Sequence, residues 1–179
     1  MMQSGDGRLM KKICMLGSPA VGKTSLVRRF VESIFDDRYL TTVGVKIDRK
    51  RVIAGGREVN LILWDLSGDD ELEQSKPSHL RGASGYILVA DGCRRLTAQR
   101  GIAIQQRATS ISGPVPVVVA LNKADMKSEW ELSLSEIEEL GRYGWPCLHT
   151  SAKTGDGVDA LFQRLAEKIS AEMNDNTGR

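Results

Sequence analysis

A chain of 179 residues with 41% apolar residues suits one domain with a sizeable buried core. Its net charge of +2 gives no electrostatic case for binding nucleic acid. No apolar run nears the roughly 20 residues a membrane span needs. The polar start, Met1 to Gly7, lacks the apolar centre of a signal peptide, and residues 1–8 are expected to be disordered. Cys14, Cys93 and Cys147 have no ligand-like spacing, which fits a reducing cytoplasm and no zinc. Cys14 and Cys147 lie in apolar runs and are expected to be buried thiols. With no cysteine near the C-terminus and no glycine at position 2, neither a prenyl nor a myristoyl anchor is expected.

Taken in order, Leu9 to Leu16 reads as a strand, and Lys23 to Ser33 as a helix. Residues 34–42 show no clean period and read as a functional loop. Val43 to Ile53 alternates as a half-exposed strand, and Ala54-Gly55-Gly56-Arg57 is a hairpin turn leading to a return strand, Val59 to Asp65. A weak helix ends near His79. Tyr86 to Ala90 is a buried strand, followed by a helix over Thr97 to Ser110. Val115 to Leu121 is nearly all apolar, as in a central parallel strand. Ser133 and Glu136 form a capping-box pattern that opens a helix ending at Gly141 to Gly144. Trp145 to His149 is a last strand, and Val158 to Met173 a closing amphipathic helix, with 174–179 a disordered tail. The alternation implies one α/β domain over 9–173. Its sheet is doubly wound, six-stranded and mostly parallel, with one antiparallel edge strand, Val43 to Ile53, and helices on both faces.

The chemistry centres on Gly17-Ser18-Pro19-Ala20-Val21-Gly22-Lys23-Thr24, which fits G-x-x-x-x-G-K-[ST] between a strand and a helix. Such a loop surrounds phosphate with backbone N–H groups, and the helix adds its positive dipole end. Lys23 can reach the terminal phosphates, and the Thr24 hydroxyl can bind Mg²⁺. Asn122-Lys123-Ala124-Asp125 follows the apolar strand and selects the base. A carboxylate at Asp125 can accept from the N1–H and 2-amino groups of guanine, a donor pair that adenine lacks. The Lys123 stem can pack along the base, and Asn122 can tie neighbouring loops. This pattern argues against a P-loop kinase or ATPase.

With Thr42, Asp65-Leu66-Ser67-Gly68 and Thr150-Ser151-Ala152-Lys153 in order after the first motif, the chain resembles a small GTPase of the Ras superfamily. The pattern is nearest the Rab and Roc-like branches, prokaryotic Rab-like members included, and covers Lys11 to Met173. The resemblance implies a P-loop NTPase fold with GTP or GDP and Mg²⁺ bound. It implies that N–H groups of Ala20, Val21, Gly22, Lys23, Thr24 and Ser25, after the Gly17 turn, grip phosphate. Thr42 would bind Mg²⁺ and the γ-phosphate in the GTP state, Asp65 would hold Mg²⁺ through a water, and the Gly68 N–H would meet the γ-phosphate. Phe35 would stack edge-on to the base, and Tyr39 would cover the phosphates. Ser151, Ala152 and Lys153 would contact the guanine 6-oxygen through N–H groups. Alone, Thr42 reads as a strand start, Asp65 as a helix cap and Phe35 as core. His79 and His149 have no part in these motifs and read as structural.

Three departures from the family pattern bear on mechanism, one being the missing lipid site already noted. Asp69 stands where the family usually has glutamine to orient the attacking water, so slow hydrolysis is expected. It could instead cap the following helix. Pro19 has no N–H, and its ring would lie near the γ-phosphate, where it could block an arginine delivered by an activator. The leading expectation is a GTP/GDP switch with Lys23, Thr42, Gly68 and Asp69 at the reacting phosphate. The alternative is a GTP-binding scaffold with little hydrolysis. Effectors or regulators would bind the switch loops and the apolar face of Val43, Val45 and Trp64. The chain is expected to be a monomer or weak dimer.

Overall fold

The computed structural model describes residues 9–36, 44–66 and 77–177. Strand β1 (Leu9–Leu16) is buried over its apolar second half, and helix α1 (Lys23–Glu32) follows. Leu26, Val27 and Phe30 give α1 one buried face at helical spacing. The helix stops at Ser33, which turns left-handed (φ 58°) while its N–H closes on the Arg29 carbonyl. Strands β2 (Val45–Ala54) and β3 (Arg57–Leu66) are joined by Gly55-Gly56 alone. Both glycines have positive φ, 58° and 74°, which matches the twist of a two-residue hairpin.

The one-turn helix α2 (Pro77–Leu80) leads to β4 (Gly85–Asp91), α3 (Leu96–Ser112) and β5 (Val117–Asn122). After a 3₁₀ turn, Lys127–Glu129, come α4 (Leu134–Arg142), β6 (Cys147–His149) and α5 (Val158–Thr177). The capping box at Ser133 and Glu136 is present in both directions.

The six strands lie in the order β2-β3-β1-β4-β5-β6, and β2 is the antiparallel edge. The remaining pairings are parallel. Every residue of β4 and β5 is buried, as expected for strands covered on both faces. One core lies under α1 and α5, where Phe30 and Phe162 stack at 4.0 Å. The other lies under α3 and α4 and includes Cys14, Tyr86, Leu88 and Leu121. From β1 the chain crosses towards β3 and β2; from β4 it crosses towards β5. The crossovers diverge, and a crevice forms beyond the carboxyl ends of β1 and β4.

Several details differ from the sequence reading, among them that β6 begins at Cys147 rather than Trp145. β5 begins at Val117 rather than Val115, because Pro114 and Pro116 flank Val115 and have no N–H to donate. α5 continues past Met173 to Thr177, and the 3₁₀ turn had no signal. Cys14 is fully buried, but Cys147 is only half-buried, because β6 is a three-residue strand at the sheet edge.

Candidate nucleotide site

Gly17–Thr24 sits at the carboxyl end of β1, in the crevice. Gly17 leaves β1 with φ 143°, and a Cβ there would lie 2.4 Å from the Val89 carbonyl oxygen. Gly22 caps α1 with φ 102°, and a Cβ there would lie 2.3 Å from Asn122 Nδ2. Glycine is therefore required at both positions by the close approach of neighbouring strand ends. Ala20 adopts a left-handed φ of 59° without glycine's freedom, so the loop carries local strain. Lys23 is nearly buried and folds back over the loop; its Nζ donates to the carbonyls of Gly17 (2.7 Å) and Ser18 (3.0 Å). Val21 is fully buried, whereas Ser25 is half-buried in the first turn of α1.

The Thr24 hydroxyl donates to Asp65 Oδ2 at 2.6 Å. Asp65 is completely buried at the end of β3, and its Oδ1 has no hydrogen-bond partner among the described residues. Burial pushes its carboxyl above the usual carboxylate range, although the Thr24 bond and the Lys23 charge pull the other way. A hydroxyl and a buried carboxylate with a spare oxygen form a hard donor set that fits Mg²⁺, which takes one or two carboxylates and otherwise phosphate and water oxygens. Among the described residues, no group of three or more His, Cys, Asp or Glu could hold a metal on its own.

Asn122, at the end of β5, joins three segments. Its Nδ2 donates to the Val21 carbonyl at 2.9 Å. Its Oδ1 accepts from the Thr150 hydroxyl at 3.2 Å and the Ala152 N–H at 3.3 Å. Lys123 then turns left-handed (φ 67°), and its Nζ donates to Asp91 Oδ2 at 2.6 Å. Asp125 is exposed, and its Oδ1 accepts from the Ser151 hydroxyl at 2.6 Å. The Ser151 N–H donates to the Asp156 carbonyl at 2.9 Å. Ala152 is buried and Lys153 exposed on the same loop. Phe35 is half-buried against the α1–α5 core. Tyr39, Thr42, Gly68 and Asp69, with Val43, lie outside the described residues.

Asp91 and Arg94 were missed in the sequence. The Asp91 side chain, 1% exposed, accepts from Lys123, from Arg94 Nε (2.8 Å) and from the Cys93 N–H (3.0 Å). Burial pushes its carboxyl up, but the Lys123, Arg94 and Cys93 bonds together outweigh burial and hold it below the usual range. Arg94 Nη2 also donates to the Pro19 carbonyl at 2.9 Å, so this cluster links the phosphate-type loop to Lys123. The available signal was an acidic residue directly after the fully apolar Tyr86–Ala90. The rings of His79 and His149 lie beside Trp64 and Trp130.

The profile of the Ras family matches residues 12–171. Ras-related protein Rab-21 of Mus musculus is 31% identical over 160 residues, spanning 88% of this chain and 72% of that protein. The chain belongs to the Ras family. Ras-related protein Rab-27B of Homo sapiens is 30% identical over 189 residues, spanning 96% of this chain and 85% of its own length. Ras-related protein Rab-3C of Mus musculus is 30% identical over 173 residues, covering 93% and 74%. The chain is thus a Rab-like small GTPase of the Ras superfamily, a group of small GTP-binding switch proteins that hydrolyse GTP. Among its described residues no helix is long and apolar enough to cross a membrane.

Proposed function

We propose that this Rab-like protein is a GTP/GDP switch with slow intrinsic hydrolysis. The phosphates lie on the loop from Gly17, gripped by the N–H groups of Ala20, Val21, Gly22, Lys23, Thr24 and Ser25, with Lys23 at the terminal phosphates. Asp125 reads the guanine N1–H and 2-amino groups, Lys123 and Phe35 flank the base, and the loop of Ser151, Ala152 and Lys153 faces its 6-oxygen. Tyr39 covers the phosphates. Thr24 and Asp65 hold Mg²⁺, joined by Thr42 in the GTP state; the ion would neutralise charge on the phosphates. Thr42 and Gly68 sense the γ-phosphate, and their release after hydrolysis relaxes the adjoining loops.

The observation that carries this reading is the Asn122 amide. It fastens Val21, on the phosphate-type loop, to Thr150 and Ala152, on the loop that meets Asp125, as a single ligand with phosphate at one end and base at the other requires. Asp69 replaces the water-orienting glutamine with a shorter side chain that has no N–H donor, which supports slow turnover. Three unpaired thiols fit a cytoplasmic site of action. Effectors would bind beside the switch loops at Val43, Val45 and Trp64. Ile47, half exposed and opposite Trp64 on β2, extends that apolar face.

The deciding experiment identifies the nucleotide that co-purifies and follows single-turnover hydrolysis for wild type and Asp69→Gln. Guanine nucleotide, slow phosphate release and faster release in the variant are expected. Tight ATP binding with weak GTP binding would sink the reading. Release at background in both proteins would leave the second reading, a GTP-binding scaffold, for which the Asp69 replacement is the motive. Pro19 is proposed to exclude an arginine supplied by an activator. Pro19→Gly should then gain sensitivity to a Rab-type activator, and no gain would remove the steric explanation.

A further inference from the structure

Arg29 belongs to none of the motifs above, yet its guanidinium grips three carbonyls. Nε donates to Ala152 at 2.7 Å, Nη2 to Lys153, and Nη1 to Ser33 at 3.2 Å. Two of these acceptors lie 123 and 124 residues further along the chain, on the loop before α5. Peptide units are planar, and no described bond is cis, so each N–H points opposite to the carbonyl of its own unit. Holding the Ala152 carbonyl towards Arg29 therefore turns the Lys153 N–H away from it. Holding the Lys153 carbonyl aims the Thr154 N–H in the same way, and that group donates to Ser151 Oγ at 3.1 Å. The Ser151 hydroxyl in turn donates to Asp125. A planar fork can fix two successive peptide units at once; the point charge of a lysine cannot.

We infer that Arg29 is a positioning residue for guanine selectivity: it orients the Ala152–Lys153 peptide unit so that its N–H meets the 6-oxygen of the base. The inference rests on the proposed reading that this loop faces the base. Arg29 touches no nucleotide atom itself; it acts from α1 through the loop backbone.

The test compares GDP with 6-thioguanosine diphosphate, which keeps the N1–H and 2-amino groups and replaces the 6-oxygen with a weaker sulfur acceptor, and with inosine diphosphate, which keeps the 6-oxygen and N1–H and lacks the 2-amino group. Affinities are measured for wild type, Arg29→Ala and Arg29→Lys. Wild type should prefer GDP over the thio analogue by about tenfold or more. In Arg29→Ala, GDP affinity should fall about tenfold, and that preference should shrink to under about threefold. The inosine penalty, read through Asp125, should change less. Arg29→Lys should be intermediate, and it keeps the test valid if the alanine variant does not fold. An unchanged preference in Arg29→Ala would overturn the inference, and so would full rescue by lysine, which would leave only charge. A wild type that does not discriminate against the thio analogue would remove the base-facing reading itself and the inference with it.

Discussion

Asn122 Nδ2 donates to the carbonyl of Val21 across 101 residues of sequence. The acceptor lies in the loop after β1 and the donor at the end of β5, two strands away in the sheet. The same side chain accepts from Thr150 and Ala152, so one amide sets the relative position of three loops. In Asn122→Ala the buried Val21 carbonyl and Thr150 hydroxyl each lose a partner. A loss of about 2–4 kcal/mol is expected in urea unfolding of the nucleotide-free protein. GDP release should also speed up by tenfold or more, read by displacement of a fluorescent analogue.

Asp91 makes the acid limb of stability predictable in sign. Its folded pKa lies below the ordinary value, because the bonds from Lys123, Arg94 and Cys93 outweigh burial. A depressed carboxyl stabilises the fold above its unfolded pKa of about 3.9, and that contribution is lost as pH falls through the lower folded value. Asp91→Asn should therefore flatten the stability profile below about pH 4. At neutral pH it should cost about 1–2 kcal/mol, less than a fully buried pair, because Lys123 and Arg94 are partly exposed and can be rehydrated. Denaturant midpoints across pH check both statements.

Asp65 is expected to behave in the opposite way. Its carboxylate is buried with one oxygen unpartnered among the described residues, so its charge is a cost to the nucleotide-free fold. Asp65→Asn keeps an acceptor for Thr24 and removes the charge. Without Mg²⁺ the variant should be more stable than wild type at neutral pH by about 1 kcal/mol, or about 2–4 °C in midpoint. Added Mg²⁺ with GDP should raise the wild-type midpoint much more than that of the variant, as differential scanning fluorimetry would show.

Ala20 holds a left-handed φ of 59°. Ala20→Gly relieves that strain, worth about 1–2 kcal/mol, but adds unfolded-state entropy that takes back part of the gain. The expected net is a stabilisation of about 0.5–1 kcal/mol in urea unfolding, with GDP affinity unchanged within about twofold. A net destabilisation would show that the alanine methyl makes contacts that outweigh the strain.

Local signals were legible and distant pairings were not. β1 was read at its observed bounds from its apolar pattern, and the Ser133–Glu136 box from a three-residue spacing. Gly17–Thr24 and Asn122–Asp125 are contiguous, so their spacing could be read directly. The resemblance placed Thr24 and Asp65 on one Mg²⁺, but the Lys123–Asp91 and Arg94–Pro19 contacts join residues 32 and 75 positions apart. They depend on which strands become neighbours, which no local pattern encodes. Arg94 in particular looks like any charged residue near a helix start until β4 lies beside β1. Helix ends rich in polar residues, such as Asn174 to Thr177, carry no period, and α5 was accordingly read too short.

The span between Arg29 and the carbonyls it grips has a consequence for how the protein is made. On the ribosome, the segment carrying Gly17–Thr24 emerges early, but its partners on β5 and in the Thr150–Lys153 loop emerge more than 100 residues later. No nascent fragment shorter than that can close the crevice. Ligand binding can therefore aid folding only after nearly the whole chain has been synthesised, and until β5 is made the edge of β4 that it covers stays unpaired. Translation stalled before Asn122 should yield chains that no added nucleotide protects from protease; chains extended through α5 should be protected.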